Sequence, residues 1–283
     1  YPLLDDVRFY SVHASPYGTR VNEQTLGDSR PFYERVFSTS DLVFPFTLAP
    51  GARAEIFLKV TSSSSLSLPL YLEPERAFVG SRFSLDILDG IYLGITLGLC
   101  FYNLFLWLNV RERSYIYYVG FVAVYLLFNA TMSGHTFRFW PDAIAFQQIA
   151  IYFFSIASAF AAALFGREFL QLKQHRPGMY RILSGYMLLC LSAMLAVFLV
   201  DPHWAAKLNI AITLGDALLL FAAAILRLSQ RYRPAGYYLV GQGAVMLGVI
   251  FTVLASNNIL PYYYLAPEAL KWAGAFELMF FSF

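Results

Sequence analysis

Residues Gly90–Leu108 read GIYLGITLGLCFYNLFLWL, nineteen residues without a charged side chain. At about 1.5 Å of helical rise per residue this run is about 28 Å long, matching a bilayer hydrocarbon core of roughly 30 Å. Runs of similar length and polarity recur at Tyr115–Met132, Phe146–Phe165, Ile182–Val200, Leu208–Leu226 and Tyr237–Ala255, and a seventh starts near Ala269 and is still apolar at Phe283. Soluble proteins do not repeat apolar stretches of that length, so the reading is an all-α bundle of seven transmembrane helices with the seventh truncated. The composition agrees: 58% hydrophobic and 13% charged residues, against roughly 45–50% and about 25% in soluble domains. The 27 Phe and 20 Tyr suit a protein with aromatic belts at two membrane surfaces.

Basic residues in the short loops set the orientation. The loops after the first, third and fifth spans carry Arg111 and Arg113, then Arg167, Lys173, Arg176 and Arg181, then Arg227, Arg231 and Arg233. The opposite loops carry Arg138, Lys207 and Lys271. Nine against three places the odd-numbered loops in the cytoplasm and residues 1–85 outside. The outer loops also hold Trp140, Trp204, Tyr262, Tyr263, Tyr264 and Trp272, an interfacial aromatic belt.

The outside part reads differently. Arg53–Ser62 places Ala54, Ile56, Leu58 and Val60 on one face at every second residue, Leu66–Glu73 does the same with Leu66, Leu68, Leu70 and Leu72, and Val7–Val12 reads as a further strand. Period-2 alternation marks half-buried antiparallel strands. Pro50-Gly51 between Leu42–Leu48 and Arg53–Ser62 predicts a hairpin turn. The expectation is an extracellular β-sandwich, incomplete for want of strands, over residues 1–85, followed by the helix domain over 86–283. The chain begins at Tyr1 and ends inside an apolar run, so it is expected to be part of a longer protein.

A net charge of +2 gives no reason to expect a nucleic-acid partner. Cys100 and Cys190 fall within apolar stretches and read as packing residues rather than a disulfide. His13, His135, His175 and His203 are scattered over both sides, so no metal site and no cofactor are expected. No paired His-Glu set, Ser-His-Asp constellation or phosphate loop is present, and Gly241-Gln242-Gly243 lies within a span, where it reads as helix packing.

Other residues stand out as candidates. Gly90, Gly94 and Gly98 recur every fourth residue and make a smooth helix-packing ridge, inside the bundle or against a second copy. Ser155, Ala159 and Ala163 make a similar face on the third span. Asp216 lies near the middle of the fifth span, where a carboxyl is costly and turns inward; Asn103, Asn129, Gln242 and Glu277 are its possible partners. Asp86 and Asp89 suit the N-terminus of the first helix as capping groups. On the outside, Asp28, Arg30 and Arg35 surround a Gly-Asp turn and have the hydrogen-bonding character to hold a sugar or another small polar ligand, or to pair with one another.

Several short stretches together carry a resemblance. Tyr102-Asn103-Leu104-Phe105-Leu106, Arg111-Glu112-Arg113-Ser114-Tyr115, Gly134, Trp140-Pro141 and Glu168-Phe169-Leu170 resemble the bacterial seven-transmembrane receptors with diverse intracellular signalling modules. Gly27-Asp28, Pro31-Phe32, Arg35 and Val43-Phe44-Pro45-Phe46 resemble that family's type 2 extracellular domain. The resemblance implies a jelly-roll-like, carbohydrate-module-like ectodomain in the periplasm and residence in the inner membrane. It also implies a cytoplasmic output module, a histidine kinase or a diguanylate cyclase, with membrane lipids, an external small-molecule or sugar ligand and a homodimer mate as partners. The chain itself reads as receptor rather than enzyme. A transporter or lipid-binding membrane protein is the alternative, while a retinal protein lacks its mid-helix lysine, since Lys271 lies at the outer edge of the seventh span.

Overall fold

The computed structural model describes residues 4–15, 18–37, 39–62, 68, 70–256 and 269–282. Outside the membrane a three-stranded antiparallel sheet has the order β2-β1-β3, from β1 (Asp6–Ser15), β2 (Gly18–Leu26) and β3 (Ala54–Thr61). Along β1, Val7, Phe9 and Ser11 are buried and Arg8, Tyr10 and Val12 are half-buried, the alternation that a pleated strand imposes. Among the described residues the sheet is a single layer. Its core face is covered by the segment around Phe44 and Phe46, whose rings lie 5.3 and 5.7 Å from that of Phe9.

That covering segment corrects the hairpin expected across Pro50-Gly51. The turn forms, with the Ala52 N–H donating to the Ala49 carbonyl at 3.0 Å and Gly51 at φ +78°. Residues 42–48 nonetheless take no strand, and β3 pairs with β1. Pro45 has no N–H to give a ladder; its carbonyl instead accepts the Gln24 side-chain amide at 2.7 Å. The strand expected over Leu66–Glu73 falls partly outside the described residues, and residues 71–73 are not a strand.

The helices are α1 (Glu75–Val110), α2 (Arg113–Met132), α3 (Ile144–Phe169), the one-turn α4 (Leu172–His175), α5 (Pro177–Ala196), α6 (Pro202–Leu228), α7 (Pro234–Ser256) and α8 (Ala269–Phe281). Six are long and apolar enough to span a membrane, and α8 is the seventh. Proline opens α5, α6 and α7, where its missing N–H costs nothing and its φ is preset. Helix α1 starts one residue after Pro74, so Asp86 and Asp89 lie three and four turns inside it and do not cap it.

At 36 residues α1 is about 54 Å long, so its first turns stand outside the bilayer beside the sheet. It is also the most peripheral span: 17% of its apolar stretch is buried, against 61% for α3, which runs through the middle of the bundle. The bundle's inner half packs around Phe165, whose ring meets those of Tyr118, Phe121, Phe169, Tyr238 and Phe281 at 5.2–6.4 Å. Helices α7 and α8 approach closely where α7 offers glycine. A Cβ on Gly241 would stand 3.3 Å from Glu277 Cα, and one on Gly248 would stand 2.7 Å from Ala273 Cβ.

Candidate functional site

Contacts between the segment after β2 and the bundle seat the ectodomain on the helices. The short 3-10 turn Phe32–Glu34 presents the buried Phe32 ring edge-on to Phe137 of the α2–α3 loop, centroids 5.9 Å apart. The Arg35 guanidinium lies over both rings, at 4.9 and 5.8 Å, and Arg138 lies over Phe32 at 5.9 Å. The buried Arg35 contributes on the order of 1–2 kcal/mol through these faces, and the exposed Arg138 about 0.5–1 kcal/mol. Phe37 meets Phe78 of α1 at 5.7 Å, and Asp41 accepts from Arg82 of α1 at 2.5 Å.

Behind this joint sits Asp28. Gly27 brings it there: a Cβ on Gly27 would overlap the Asp5 carbonyl, so only glycine lets the turn close on the strand entry. The Asp28 N–H donates to the Leu4 carbonyl at 2.9 Å, and the Ser29 hydroxyl donates to the Asp5 carbonyl. Asp28 is 4% exposed, and its Oδ1 has no hydrogen-bond partner. Burial and the neighbouring Asp5 charge push its carboxyl up to about 7, although Arg35 and its own backbone pull it the other way. Arg35 is itself buried, donating to the Thr39 and Ser40 carbonyls at 3.1 and 2.7 Å, with Nε unpartnered. Arg30 turns away to Asp6 and Glu34 at 3.7 and 3.6 Å, and its side chain is 42% exposed. The structure thus gathers Asp28 and Arg35 at the joint and leaves Arg30 on the open rim.

Directly below lies a triad from three elements. Asp89 of α1 accepts from Lys271 of α8 at 2.6 Å through one oxygen and meets His135 of the α2–α3 loop at 3.2 Å through the other. Lys271 is 9% exposed. Trp272, the next residue, packs edge-on against Tyr92 of α1 at 6.3 Å. Loop α2–α3 therefore touches Phe32 and Arg35 of the ectodomain above and grips Asp89 of α1 below, and Asp89 in turn holds α8. Sequence spacing carries no signal for this triad, since its members lie 46 and 182 residues apart.

Inside the membrane, Asn103 of α1 donates to the Leu99 carbonyl at 2.9 Å and to the Ser282 hydroxyl at 2.7 Å, so it joins α1 to the inner end of α8 rather than serving Asp216. Tyr118 of α2 donates to the Leu278 carbonyl at 2.8 Å. Asn129 bonds within its own helix, to the Tyr125 carbonyl at 2.9 Å. Asp216, Gln242 and Glu277 are all buried, and Asp216 Oδ1 has no hydrogen-bond partner. Among the described residues, nothing stands within 4 Å of where side chains on Gly90, Gly94 and Gly98 would begin, so no described helix packs closely on that ridge. Ser155, Ala159 and Ala163, by contrast, are buried within the bundle.

On the inner face the helix ends divide into a pinned half and an open half. Arg227 donates to the Leu170 carbonyl at 2.7 Å and lies over Tyr232 at 4.5 Å, and Tyr232 donates to the Phe169 carbonyl at 3.0 Å. These bonds cap α3 and pin it to α6 and α7. Beside them a cleft of about 180 Å³ opens between the inner ends of α1, α2, α3, α7 and α8, with Glu112, Tyr115, Gln171, Tyr232 and Ser282 on its walls.

A family model described as 7TM diverse intracellular signalling matches residues 85–283, and one described as 7TMR-DISM extracellular 2 matches residues 1–74. No curated protein and no solved structure matches the chain.

Proposed function

The chain belongs to the seven-transmembrane receptors with diverse intracellular signalling modules, and we propose that it receives a sugar or another small external molecule and relays the event to a cytoplasmic histidine kinase or diguanylate cyclase. The carrying observation is the α2–α3 loop, which meets Phe32 of the ectodomain through Phe137 and holds Asp89 of α1 through His135, while the same Asp89 holds Lys271 of α8. A ligand that binds one arrangement of the sheet more tightly than another shifts that loop, and with it the α8 end that leads toward the cytoplasm. Arg30, exposed on the rim, is the member of the ectodomain trio best placed to meet the ligand, with Asp28 and Arg35 forming the buried link behind it. The nine-to-three basic bias supports an inner-membrane orientation with the sheet in the periplasm and the end of α8 in the cytoplasm.

The α1 ridge is assigned to a second copy of the receptor. Val79, Phe83, Ile87, Phe101, Phe105 and Leu108 are exposed on the same side as Gly90, Gly94 and Gly98, giving an apolar stripe about 44 Å long at 1.5 Å per residue. Lipid covers roughly 30 Å of that length, so Val79 and Phe83 stand where a partner helix, rather than lipid, shields them.

The test has two arms. The gene is expected to read on past Phe283 into a soluble signalling module; a stop codon there overturns the relay. A thermal-shift screen of sugars and small metabolites on the chain in nanodiscs is expected to give a ligand whose effect is lost in Arg30→Ala. A ligand indifferent to Arg30→Ala overturns the placement of the ligand site.

A further inference from the structure

We propose that the joint between the sheet and the helix bundle is a proton-binding site centred on the Asp28 carboxyl, so that external pH sets how tightly the ectodomain is seated. The inference deepens the receptor reading and rests on it, since it names a second external ligand for the same coupling joint.

The geometry carries it. Asp28 is 4% exposed, its Oδ1 has no hydrogen-bond partner, and no ion pair joins it to Arg35 although that guanidinium is its nearest cation by charge effect. An ionised carboxylate in that position is buried without full compensation, which is costly. A protonated carboxyl removes the charge and the repulsion from Asp5. The groups facing the site come from each element around it. Asp5 precedes β1, Arg35 follows the 3-10 turn, and Asp41 acts on Arg35. From the bundle, Arg138 reaches over Phe32, and the phenol of Tyr152 on α3 lies within reach of the Asp5 and Asp28 charges. Arg35 is held through one terminal nitrogen by the Thr39 and Ser40 carbonyls and lies on the Phe32 and Phe137 rings, and its Nε makes no bond to Asp28. The site thus lies against the bundle rather than on the open side of the sheet.

The sign follows from the two states. Seated, Asp28 has its carboxyl pushed up to about 7; released into water it returns to about 3.9. The seated form binds the proton more tightly, so seating is strongest below about pH 4 and weakens by up to tenfold per pH unit as the pH rises toward 7. Above that it is constant at its weaker value. The sensitive window therefore includes mildly acidic to neutral surroundings.

The test is hydrogen–deuterium exchange on the chain in nanodiscs at pH 5.5 and pH 7.5, comparing wild type with Asp28→Asn at each pH so that intrinsic exchange rates cancel. Relative to Asp28→Asn, which stays neutral throughout, wild type is expected to be about fortyfold less protected at pH 5.5 in peptides covering 27–37 and 134–139. At pH 7.5 the gap is expected to widen by at least a further tenfold. Equal protection of the two at both values overturns the proposal. Should Asp28→Asn misfold, Asp5→Asn serves instead: removing the neighbouring charge is expected to move the wild-type transition to lower pH, and an unmoved transition overturns the proposal. Seating that ignores pH, in a receptor whose sugar or metabolite response survives, removes the proton site alone and leaves the receptor reading standing.

Discussion

Replacing Lys271 with Met is predicted to loosen α8 from α1 by an amount the triad geometry sets. At 2.6 Å from Asp89 and an effective dielectric near 20, the gross attraction is about 6 kcal/mol. Desolvation offsets much of it. Lys271 is 9% and Asp89 29% exposed, so the net coupling falls below the 3–5 kcal/mol lost on breaking a fully buried pair and is on the order of 2 kcal/mol. His135 remains on the other Asp89 oxygen at 3.2 Å and keeps part of the latch in the single variant. The assay is a double-mutant cycle of Lys271→Met and Asp89→Asn, read by equilibrium unfolding in mixed micelles. A coupling of about 2 kcal/mol, roughly thirtyfold in the unfolding constant, supports the latch. A coupling under about 0.5 kcal/mol refutes it.

Three other outcomes are expected. Gly166→Val is predicted to cost about 1–3 kcal/mol, because its Cβ would stand 2.7 Å from Leu220 Cδ2 and 2.9 Å from the Tyr238 hydroxyl; a lowered Tm in detergent checks this. Asn103→Ala is predicted to lose about 1 kcal/mol and to raise exchange at residues 278–282, since it removes the 2.7 Å bond to Ser282. Gly94→Ile is predicted to leave the Tm of the monomer unchanged, because no atom of the described residues lies within 4 Å of the new Cβ, while abolishing disulfide trapping of the proposed receptor pair through Gly90→Cys.

The membrane spans were legible because their signal is length itself: nineteen uncharged residues at Gly90–Leu108 have few other uses. Strand β1 was legible because one face is buried, as Val7 and Phe9 show, and β3 by an alternation in which Ala54, Leu58 and Val60 are half-buried. Strand β2 escaped because Val21, Asn22 and Glu23 are all exposed and leave no alternation to find. The segment around Pro45 looked like a strand by hydrophobicity, yet its aromatic rings cover the sheet from outside the ladder. The beginning of α1 was misplaced by more than ten residues because its first turns lie outside the bilayer and carry Arg76, Arg82 and Asp86 among their apolar residues. Asp28, Arg30 and Arg35 were visible as candidates around one turn. The burial of Asp28 and Arg35 was not, since Phe137 reaches Arg35 from the other domain. The Asp89 triad was invisible for the same reason: tertiary packing alone brings its members together.

The chain's four tryptophans allow the relay from sheet to inner face to be read in one spectrum. Trp140 lies in the α2–α3 loop, Trp272 packs on Tyr92 beside the latch, and Trp107 holds Arg111 at 5.1 Å at the inner end of α1. Trp204 lies over Lys207 at the start of α6, away from the latch. Fluorine NMR of fluorotryptophan-labelled protein is to be compared between wild type and Phe137→Ala, which unseats the sheet. Coupling through the latch predicts shifted resonances for Trp140, Trp272 and Trp107 with Trp204 unmoved. A spectrum in which only Trp140 moves would contradict it.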